Sequence, residues 1–285
     1  MIYTCTLNPA IDFYVEVPNL RVGSINQGEL IRFVPGGKGI NVSMMLKQLG
    51  VDNIAMGLIG GKFGKLLMEL LKERDITTDF VEIKGETRLN VKIRDIEETD
   101  INLIGPEVTL SEIETLLNKL KRITPCDYLV LAGKSPKTNV PIVSMIGKYT
   151  KENNLKLVVD ISGTDLEAII KYQPLLIKPN KEELEALIKR KLISISDIKE
   201  ACKALIYEYG ISYVLVSLGS DGALLVSEGE SYYEKAPTGR VLNTVGAGDA
   251  LLAGFLANYT QTNNLQTALH QGVECGSKVV FTGYI

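Results

Sequence analysis

Hydrophobic runs in the second half of the chain predict strands that are buried on both faces. Each run is short, rich in Val, Leu and Ile, and bounded by Gly, Pro or Asp. Such continuous apolar runs are typical of parallel strands that helices cover on either side. The runs lie at residues 128–132, 155–161, 175–177 and 213–218.

Between these runs, apolar residues recur at helical spacing in the segments 110–122, 182–189 and 198–209. The first segment contains Ser111 and Glu114, an S-x-x-E pair that matches a capping box, so we expect its helix to begin there. Strands that alternate with helices imply right-handed crossovers. The pattern therefore predicts an α/β protein with a three-layer α/β/α sandwich.

The first third of the chain has a different pattern. Residues 12–17, 28–34 and 88–94 alternate between apolar and polar, as half-exposed strands do. Core elements interrupt these segments, so we expect a small β-sheet lid formed by insertions at about residues 12–35 and 86–105. The whole chain, residues 1–285, is expected to be a single domain, and lids commonly exclude water from a reaction site.

Composition narrows the class of protein. The chain has 285 residues, of which 45% are hydrophobic and 23% charged, enough to bury a sizeable core. Its formal net charge of −3 argues against a general nucleic-acid binder. No apolar run approaches the ~20 residues that a membrane span needs. The first residues, MIYTCTLNPAIDFYVEV, lack the features of a signal peptide, so we expect a cytoplasmic protein.

Cysteine and histidine content excludes several chemistries. The four cysteines form no C-x-x-C pair, and His270 is the only histidine. A Cys/His zinc set and a His-dependent nucleophilic triad are therefore not expected, and the thiols are expected to be reduced. Any reaction must use carboxylates, lysines, backbone N–H groups or a bound metal.

The sharpest motif is NTVGAGD at residues 243–249, which precedes a helical pattern. Gly246 and Gly248 allow a tight turn, and the N–H groups that open a helix form an anion site suited to a transferring phosphoryl group. Asp249 is suited to accept the proton of an attacking hydroxyl. The same residues also fit a plain Gly-rich turn in which Asp249 caps the helix.

A second glycine-rich segment, PGGKGIN at residues 35–41, precedes the helical pattern of residues 42–49. Lys38 and Asn41 are suited to bind a phosphate or sugar hydroxyls, but the spacing is not that of a Walker A loop, and a structural turn fits equally well. Asp12 is suited to accept hydrogen bonds from a polyol or to cap a turn.

Three further segments carry polar residues suited to ligands. Asn180 and Glu183 supply oxygen ligands of the kind that hold Mg²⁺ with nucleotide phosphates, although an ordinary helix N-terminus also explains them. Residues 217–222, SLGSDG, follow a strand, where α/β sheets bind ligands, and also fit a hairpin turn. Arg88 and Asn90 share one face of a strand. This face either binds a phosphate or is an ordinary solvent-exposed strand face.

Taken together, these motifs resemble those of the ribokinase-like sugar kinases. TLNPAID, GGKGINV, GETRLNV, KPN-x-x-E, VSLGSDGA and NTVGAGD follow that family's order from Met1 to about residue 280. The likeness is closest to the branch that phosphorylates phosphosugars. The resemblance implies the α/β/α sandwich with a small β-sheet lid, ATP as phosphoryl donor, Mg²⁺, and a homodimer that pairs through the lid.

The resemblance also implies roles for individual residues. Asp249 would be the catalytic base, beside an anion hole formed by Gly246, Ala247 and Gly248. Lys38 and Arg88 would hold the existing phosphate of the phosphosugar, within a substrate site that comprises Asp12, Gly37, Lys38, Asn41, Arg88 and Asn90. ATP would contact Lys178, Asn180, Ser217, Gly219, Ser220, Gly222 and Gly248. Asn180 and Glu183 would serve the metal through water.

The expected reaction is phosphorylation of D-fructose 1-phosphate by ATP to D-fructose 1,6-bisphosphate. One alternative is phosphorylation of tagatose 6-phosphate to tagatose 1,6-bisphosphate. Another alternative is a non-catalytic phosphosugar-binding protein. Two features favour it: Ala250 follows the expected base where relatives often carry Ser, and the chain ends at Gly283-Tyr284-Ile285 where relatives continue with a segment near the nucleotide. Asn243 favours the phosphosugar branch over a monovalent-cation site.

Overall fold

The computed structural model describes residues 1–283, so the expectation about the chain end at Tyr284 and Ile285 lies outside the described residues. The strands in chain order are β1 (Ile2–Thr6), β2 (Ala10–Glu16), β3 (Glu29–Gly36), β4 (Asn53–Gly60), β5 (Thr77–Ile83), β6 (Arg88–Arg94), β7 (Thr99–Asn102), β8 (Tyr128–Ala132), β9 (Lys156–Asp160), β10 (Leu176–Ile177), β11 (Tyr213–Ser217), β12 (Ala223–Val226) and β13 (Ser231–Glu234).

The helices connect these strands and begin in the loops that follow them. They are α1 (Lys38–Gln48), α2 (Gly61–Lys72), α3 (Leu110–Leu120), α4 (Ile142–Glu152), α5 (Thr164–Ile169), α6 (Lys181–Ile188), α7 (Ile195–Tyr209), α8 (Ala247–Thr262) and α9 (Leu265–Thr282). In the part of the chain that the structure describes, no helix is both long and apolar enough to cross a membrane.

Nine of the described strands form a central sheet in the order β13-β12-β11-β10-β9-β8-β1-β4-β5. The seven strands from β11 to β5 are parallel, and β12 and β13 add an antiparallel edge. The four apolar runs predicted from the sequence are β8, β9, β10 and β11, so this prediction is confirmed.

Alternation along the strands divides the core into two layers. Leu129 and Leu131 of β8 pack with α3, α4 and α7, whereas Val130 of the same strand packs with α1, α8 and α9. Successive side chains of a strand point to opposite faces, so a continuous apolar run is what a sheet with helices on both faces requires. The predicted three-layer α/β/α sandwich is confirmed.

The other four strands form a small sheet in the order β3-β2-β6-β7. Its pairing places Asp12 opposite Asn90 and Tyr14 opposite Lys92, so polar residues share one face. The opposite face is apolar: Ile11 is fully buried in the main body, and further out Phe13 and Phe33 lie with ring centroids 5.1 Å apart. The small sheet is thus amphipathic, with its polar face toward the carboxyl ends of the central strands.

The predicted segment of α3 starts at the right residue, but its predicted capping box is wrong. The helix begins at Leu110, and its capping box consists of Thr109 and Glu112 instead of Ser111 and Glu114. The carboxylate of Glu112 accepts hydrogen bonds from the Thr109 N–H at 2.8 Å and the Thr109 hydroxyl at 2.7 Å. The preceding residue, Val108, is buried and donates its N–H to the carbonyl of Lys137, which fixes where the chain turns into the helix.

We therefore expect Glu112→Ala to lower the free energy of unfolding by about 1 kcal/mol, because it removes the cap and also the acceptor of the Lys84 N–H. The control is Glu114→Ala, the same substitution on an exposed site of the same helix, which should change stability by less than about 0.5 kcal/mol. Urea denaturation of both variants measures the difference. Equal effects would contradict this assignment of the cap.

Candidate active site

A cleft of about 1310 Å³ lies between the polar face of the small sheet and the carboxyl ends of the central strands. Loops after parallel strands meet at one edge of the sheet, which is why segments far apart in sequence converge there. The cleft is lined by every residue to which the sequence assigned a site: Asp12, Gly37, Lys38, Asn41, Arg88, Asn90, Lys178, Asn180, Glu183, Ser217, Gly219, Ser220, Gly222, Gly246, Ala247, Gly248 and Asp249.

Asp249 lies in the first turn of α8, at the bottom of the cleft. The N-cap of this helix is Gly246, with φ 82°, so the interpretation in which Asp249 caps the helix is wrong. Its side chain is only 6% exposed, and its Oδ2 accepts a hydrogen bond of 2.7 Å from the Asn41 amide. The Ala247 N–H donates to the carbonyl of Thr244 at 3.3 Å, whereas the N–H groups of Gly248 and Asp249 have no acceptor within the helix and are suited to an anion.

Asp160, the last residue of β9, is a buried carboxylate that the sequence analysis missed. One of its oxygens lies 2.8 Å from Lys38 Nζ and the other 3.1 Å from Lys178 Nζ, and its side chain is fully buried. Lys178 Nζ in turn lies 3.3 Å from where a Cβ on Gly248 would stand. Asp160 thus places two ammonium groups beside the GAGD turn. The available signal was an Asp that ends a buried apolar run.

The electrostatics of this cluster set the protonation of Asp249. Burial raises the pKa of Asp249 to about 7, with further help from the negative charge of Asp160, while the Asn41 hydrogen bond and the two lysines oppose the rise. Burial alone would lower the pKa of Lys38, but the charge and hydrogen bond of Asp160 outweigh it and the net pKa is raised. Asp249 therefore titrates near neutrality beside a charged lysine.

The polar face of the small sheet forms the wall of the cleft beyond Asp249. Asn90 donates a 2.7 Å hydrogen bond to Asp12, and its own Oδ1 is buried without a partner. Burial raises the pKa of Asp12, against the lowering effect of Asn90 and nearby cations. Gly36 is required here, because a Cβ would lie 2.9 Å from the Asp12 carboxylate. Polar groups of this kind match the hydroxyls of a polyol.

Arg88 stands on the same wall and carries a charge that no carboxylate neutralises by an ion pair in residues 1–283. Its guanidinium donates 3.3 Å hydrogen bonds to the carbonyls of Asn8 and Leu103. Burial lowers the pKa of Arg88, and the charge of Asp12 counteracts this effect. An arginine held by backbone carbonyls at a cleft wall is suited to bind an anion.

Asn180 and Glu183 form the capping box of α6. Asn180 Oδ1 accepts the N–H of Glu183 at 2.7 Å, and Glu183 Oε2 accepts the N–H of Asn180 at 3.0 Å. One oxygen of Glu183 makes no such bond and remains available at the cleft. Among the described residues no group of three or more His, Cys, Asp or Glu side chains could hold a metal directly. The free oxygen of Glu183 is suited to contact a hydrated cation.

The far end of the cleft is formed by the turn after β11 and by apolar residues that the sequence analysis did not single out. The turn is a hairpin connection between β11 and β12, as expected for SLGSDG. At Gly222, φ is 97° and a Cβ would lie 2.0 Å from the carbonyl of Glu234. Ile198, Val280 and Phe281 add an apolar wall. Asn243 lies outside this cleft and accepts the N–H of Val245 in its own turn.

Residues 4–284 match the model of the pfkB family carbohydrate kinases. The chain belongs to this family, and it is a phosphotransferase that uses an alcohol group as acceptor. Carbohydrate kinases of the family use ATP.

Individual relatives resemble the chain over nearly its whole length. It is 38% identical to the 1-phosphofructokinase of Bacillus subtilis and 38% identical to the D-tagatose-1-phosphate kinase of Bacillus licheniformis, covering 99% of this chain and 93% of each relative. Phosphofructokinase-2 from Escherichia coli, solved in complex with fructose-6-phosphate, superposes with a TM-score of 0.93 at 27% identity, covering 98% of this chain and 93% of that one. These relatives support a phosphosugar kinase.

The raised pKa of Asp249 predicts that this carboxylate costs stability at neutral pH. The folded state keeps the proton up to about pH 7, whereas the unfolded state releases it near pH 4, so stability falls as the pH rises through that window. Asp249→Asn should therefore raise Tm at pH 8 by at least about 2 °C, and by less at pH 5.

Thermal unfolding of the wild type, Asp249→Asn and the control Asp52→Asn at both pH values tests this prediction. Asp52 is exposed, so its variant should follow the wild type. A lower Tm for Asp249→Asn at pH 8 would contradict the proposed electrostatic cost.

Proposed function

We propose that the protein transfers the terminal phosphoryl group of ATP to the free primary hydroxyl of a ketohexose 1-phosphate, with D-fructose 1-phosphate as substrate and D-fructose 1,6-bisphosphate as product. The observation that carries the proposal is the position of Asp249. This buried carboxylate lies where the polyol-binding wall of the cleft meets the glycine-rich turns and two lysines.

In the proposed reaction, ionised Asp249 accepts the proton of the C6 hydroxyl as the hydroxyl oxygen attacks the phosphorus, and ADP leaves with the electrons of the broken bond. The N–H groups of Gly246–Gly248 and the ammonium of Lys178 stabilise the charge of the moving group. Lys38, which Asp160 holds in place, lies between the transferred phosphoryl group and the sugar and stabilises the same charge. A Mg²⁺ contacted through water by Asn180 and Glu183 would neutralise the nucleotide phosphates.

The choice of sugar rests on the relatives. Both curated relatives are named for a sugar that carries its phosphate on C1. Fructose 1-phosphate and tagatose 1-phosphate differ only in the configuration at C4, so tagatose 1-phosphate is the second candidate. Tagatose 6-phosphate presents the phosphate at the opposite end, and neither of these two relatives is named for it.

We also propose that the small sheet acts as a lid and joins two copies of the chain. Its polar face lines the cleft, so closure onto the sugar would exclude water and limit ATP hydrolysis. On its other face, Phe13, Phe33 and Val91 are only partly buried and Ile101 is 46% exposed. A second copy of this apolar face would cover it.

An assay of ADP release with ATP, Mg²⁺ and a panel of sugars tests the proposed function. We expect the highest kcat/KM with fructose 1-phosphate, compared with tagatose 1-phosphate, tagatose 6-phosphate, fructose 6-phosphate and fructose. Preference for tagatose 1-phosphate would keep the reaction and change the sugar. Binding of these sugars without ADP release would support a phosphosugar-binding protein and overturn the kinase proposal.

The pH dependence of kcat/KM tests the role of Asp249. Because the base acts only when ionised, activity should fall as the pH drops through about 7. Asp249→Asn should lose at least about 10²-fold in kcat, the lower end for loss of a general base.

The variant Asp160→Asn tests the electrostatic coupling between Asp160 and Asp249 in a second way. It removes a negative charge next to Asp249, so the acid limb of the profile should move to lower pH, while kcat falls because Lys38 and Lys178 lose their common partner. A profile with an unchanged acid limb in a folded Asp160→Asn protein would contradict this coupling.

A further inference from the structure

A third polar residue extends the row formed by Arg88 and Asn90 on β6. Residues two apart in a strand share a face, so Lys92 follows Arg88 and Asn90 along the polar face of the small sheet. All three line the cleft. The sequence analysis did not single out Lys92, because an alternating lysine in a strand is indistinguishable from an ordinary solvent-facing one.

The ammonium of Lys92 is held by the neighbouring edge strand. Lys92 Nζ lies 2.5 Å from Asp100 and 3.4 Å from Asn102 Oδ1, and the Lys92 side chain is only 12% exposed. Asp100 is 43% exposed, and every residue of its strand β7 is exposed. This strand pairs on one side only, with β6. Because Asp100 itself is largely open to solvent, water can solvate its carboxylate when it releases Lys92.

The two cations contact adjacent residues of the segment that follows β6. The Arg88 guanidinium lies 3.3 Å from the carbonyl of Leu103, and Lys92 Nζ contacts Asn102, the residue next to it. Asn90 lies between Arg88 and Lys92 on the strand. Its Oδ1 is buried and has no hydrogen-bond partner, so it can accept a hydrogen bond from a donor such as a sugar hydroxyl. Asp12, which is bonded to Asn90, is also close enough to interact electrostatically with Lys92.

The two lysines at the bottom of the cleft have a different ion-pair partner. Lys38 and Lys178 both pair with buried Asp160 beside Asp249, where the phosphoryl group is transferred. A phosphate already present on the sugar lies at the end of the substrate remote from the attacking hydroxyl. Arg88 and Lys92 pair with neither Asp160 nor Asp249, so they are better placed for this phosphate than Lys38, for which that role was also expected.

We propose that Lys92 joins Arg88, the residue already expected to hold the phosphate that the sugar carries, in the subsite for that phosphate, and that Asp100 occupies Lys92 until the phosphate displaces it. The inference rests on the proposed function, for which it specifies the recognition of the substrate. A sugar without a phosphate cannot replace Asp100 at Lys92, so the exchange favours phosphosugars over free sugars. Phosphate also receives a bidentate partner in Arg88 and a compact charge in Lys92.

The test compares two variants that break the same ion pair from opposite sides. Lys92→Met should raise Kd and KM for fructose 1-phosphate at least about 10-fold with kcat changed less than about twofold, because a charge-assisted hydrogen bond to the phosphate is lost. Asp100→Asn should lower both constants about threefold, because the competitor is removed. Neither variant should change KM for free fructose or ATP. Calorimetry without nucleotide gives Kd for fructose 1-phosphate and tagatose 1-phosphate, and initial rates give KM.

The matched control is the next pair on the same hairpin. Arg94 lies two residues beyond Lys92 on β6 and pairs with Glu98 at 3.5 Å, but neither residue lines the cleft. Arg94→Met and Glu98→Gln should leave Kd and KM unchanged.

The two proposals fail differently. If Lys92→Met and Asp100→Asn change Kd in opposite directions but the wild type releases no ADP, the phosphate subsite is supported and the kinase proposal is overturned. Turnover in which both variants weaken binding alike, or neither has an effect, would overturn the subsite, because a purely structural ion pair cannot give opposite signs. Absence of any binding of either sugar phosphate to the wild type would overturn it as well.

Discussion

The active cleft depends on one buried charge. Asp160 is held at the end of a central strand with no exposure to solvent, and it is tolerated there because two ammonium groups neutralise it. Lys38 lies at the start of α1 and Lys178 directly follows β10, so the ion pairs tie these two segments to the end of β9. Removing either partner would leave an uncompensated charge in the interior, which makes this cluster a fixed frame for Asp249.

The same burial that fixes the frame also sets the protonation of Asp249. A carboxylate in water would be too weak a base to take a proton from a hydroxyl, and a carboxylate fully paired with lysine would be weaker still. Asp249 instead has a buried site and a negative neighbour, which together outweigh the hydrogen bond from Asn41 and the two lysines, so its pKa lies near neutrality. Enzymes commonly place catalytic groups in environments that are unfavourable for stability and offset the cost elsewhere in the core.

Sequence patterns predicted the layers because a short, continuous apolar run is stable as a strand only where both of its faces are covered. They predicted the starts of helices less well: α1 and α8 begin at Lys38 and Ala247, earlier than the apolar spacing suggests, since their first turns are made of glycine-rich residues that carry no periodic signal. At α3, two overlapping capping patterns were available, and the position of buried Val108 decided between them.

The residues of the candidate site also fall into those that the sequence pattern identifies and those that it does not. Glycine-rich turns and KPN-x-x-E are local signals, and the residues they identify all line the cleft, although their individual roles remain predictions. Asp160 and Lys92 carry no local signal. Asp160 acquires its importance from a lysine 122 residues away, and Lys92 from a strand that pairs with its own. Contacts of this kind arise only from the fold.

The pairing of β2 with β6 has a consequence for how the protein folds. These adjacent strands are parallel, and Asp12 and Asn90 are separated by 78 residues of chain that contain α1, β4, α2 and β5. Closing so long a loop costs entropy before any contact is gained. We therefore expect the central sheet to form first and the small sheet late. A nascent or partly unfolded molecule would have Asp249 in place while lacking the cleft wall that carries Asp12, Arg88 and Asn90.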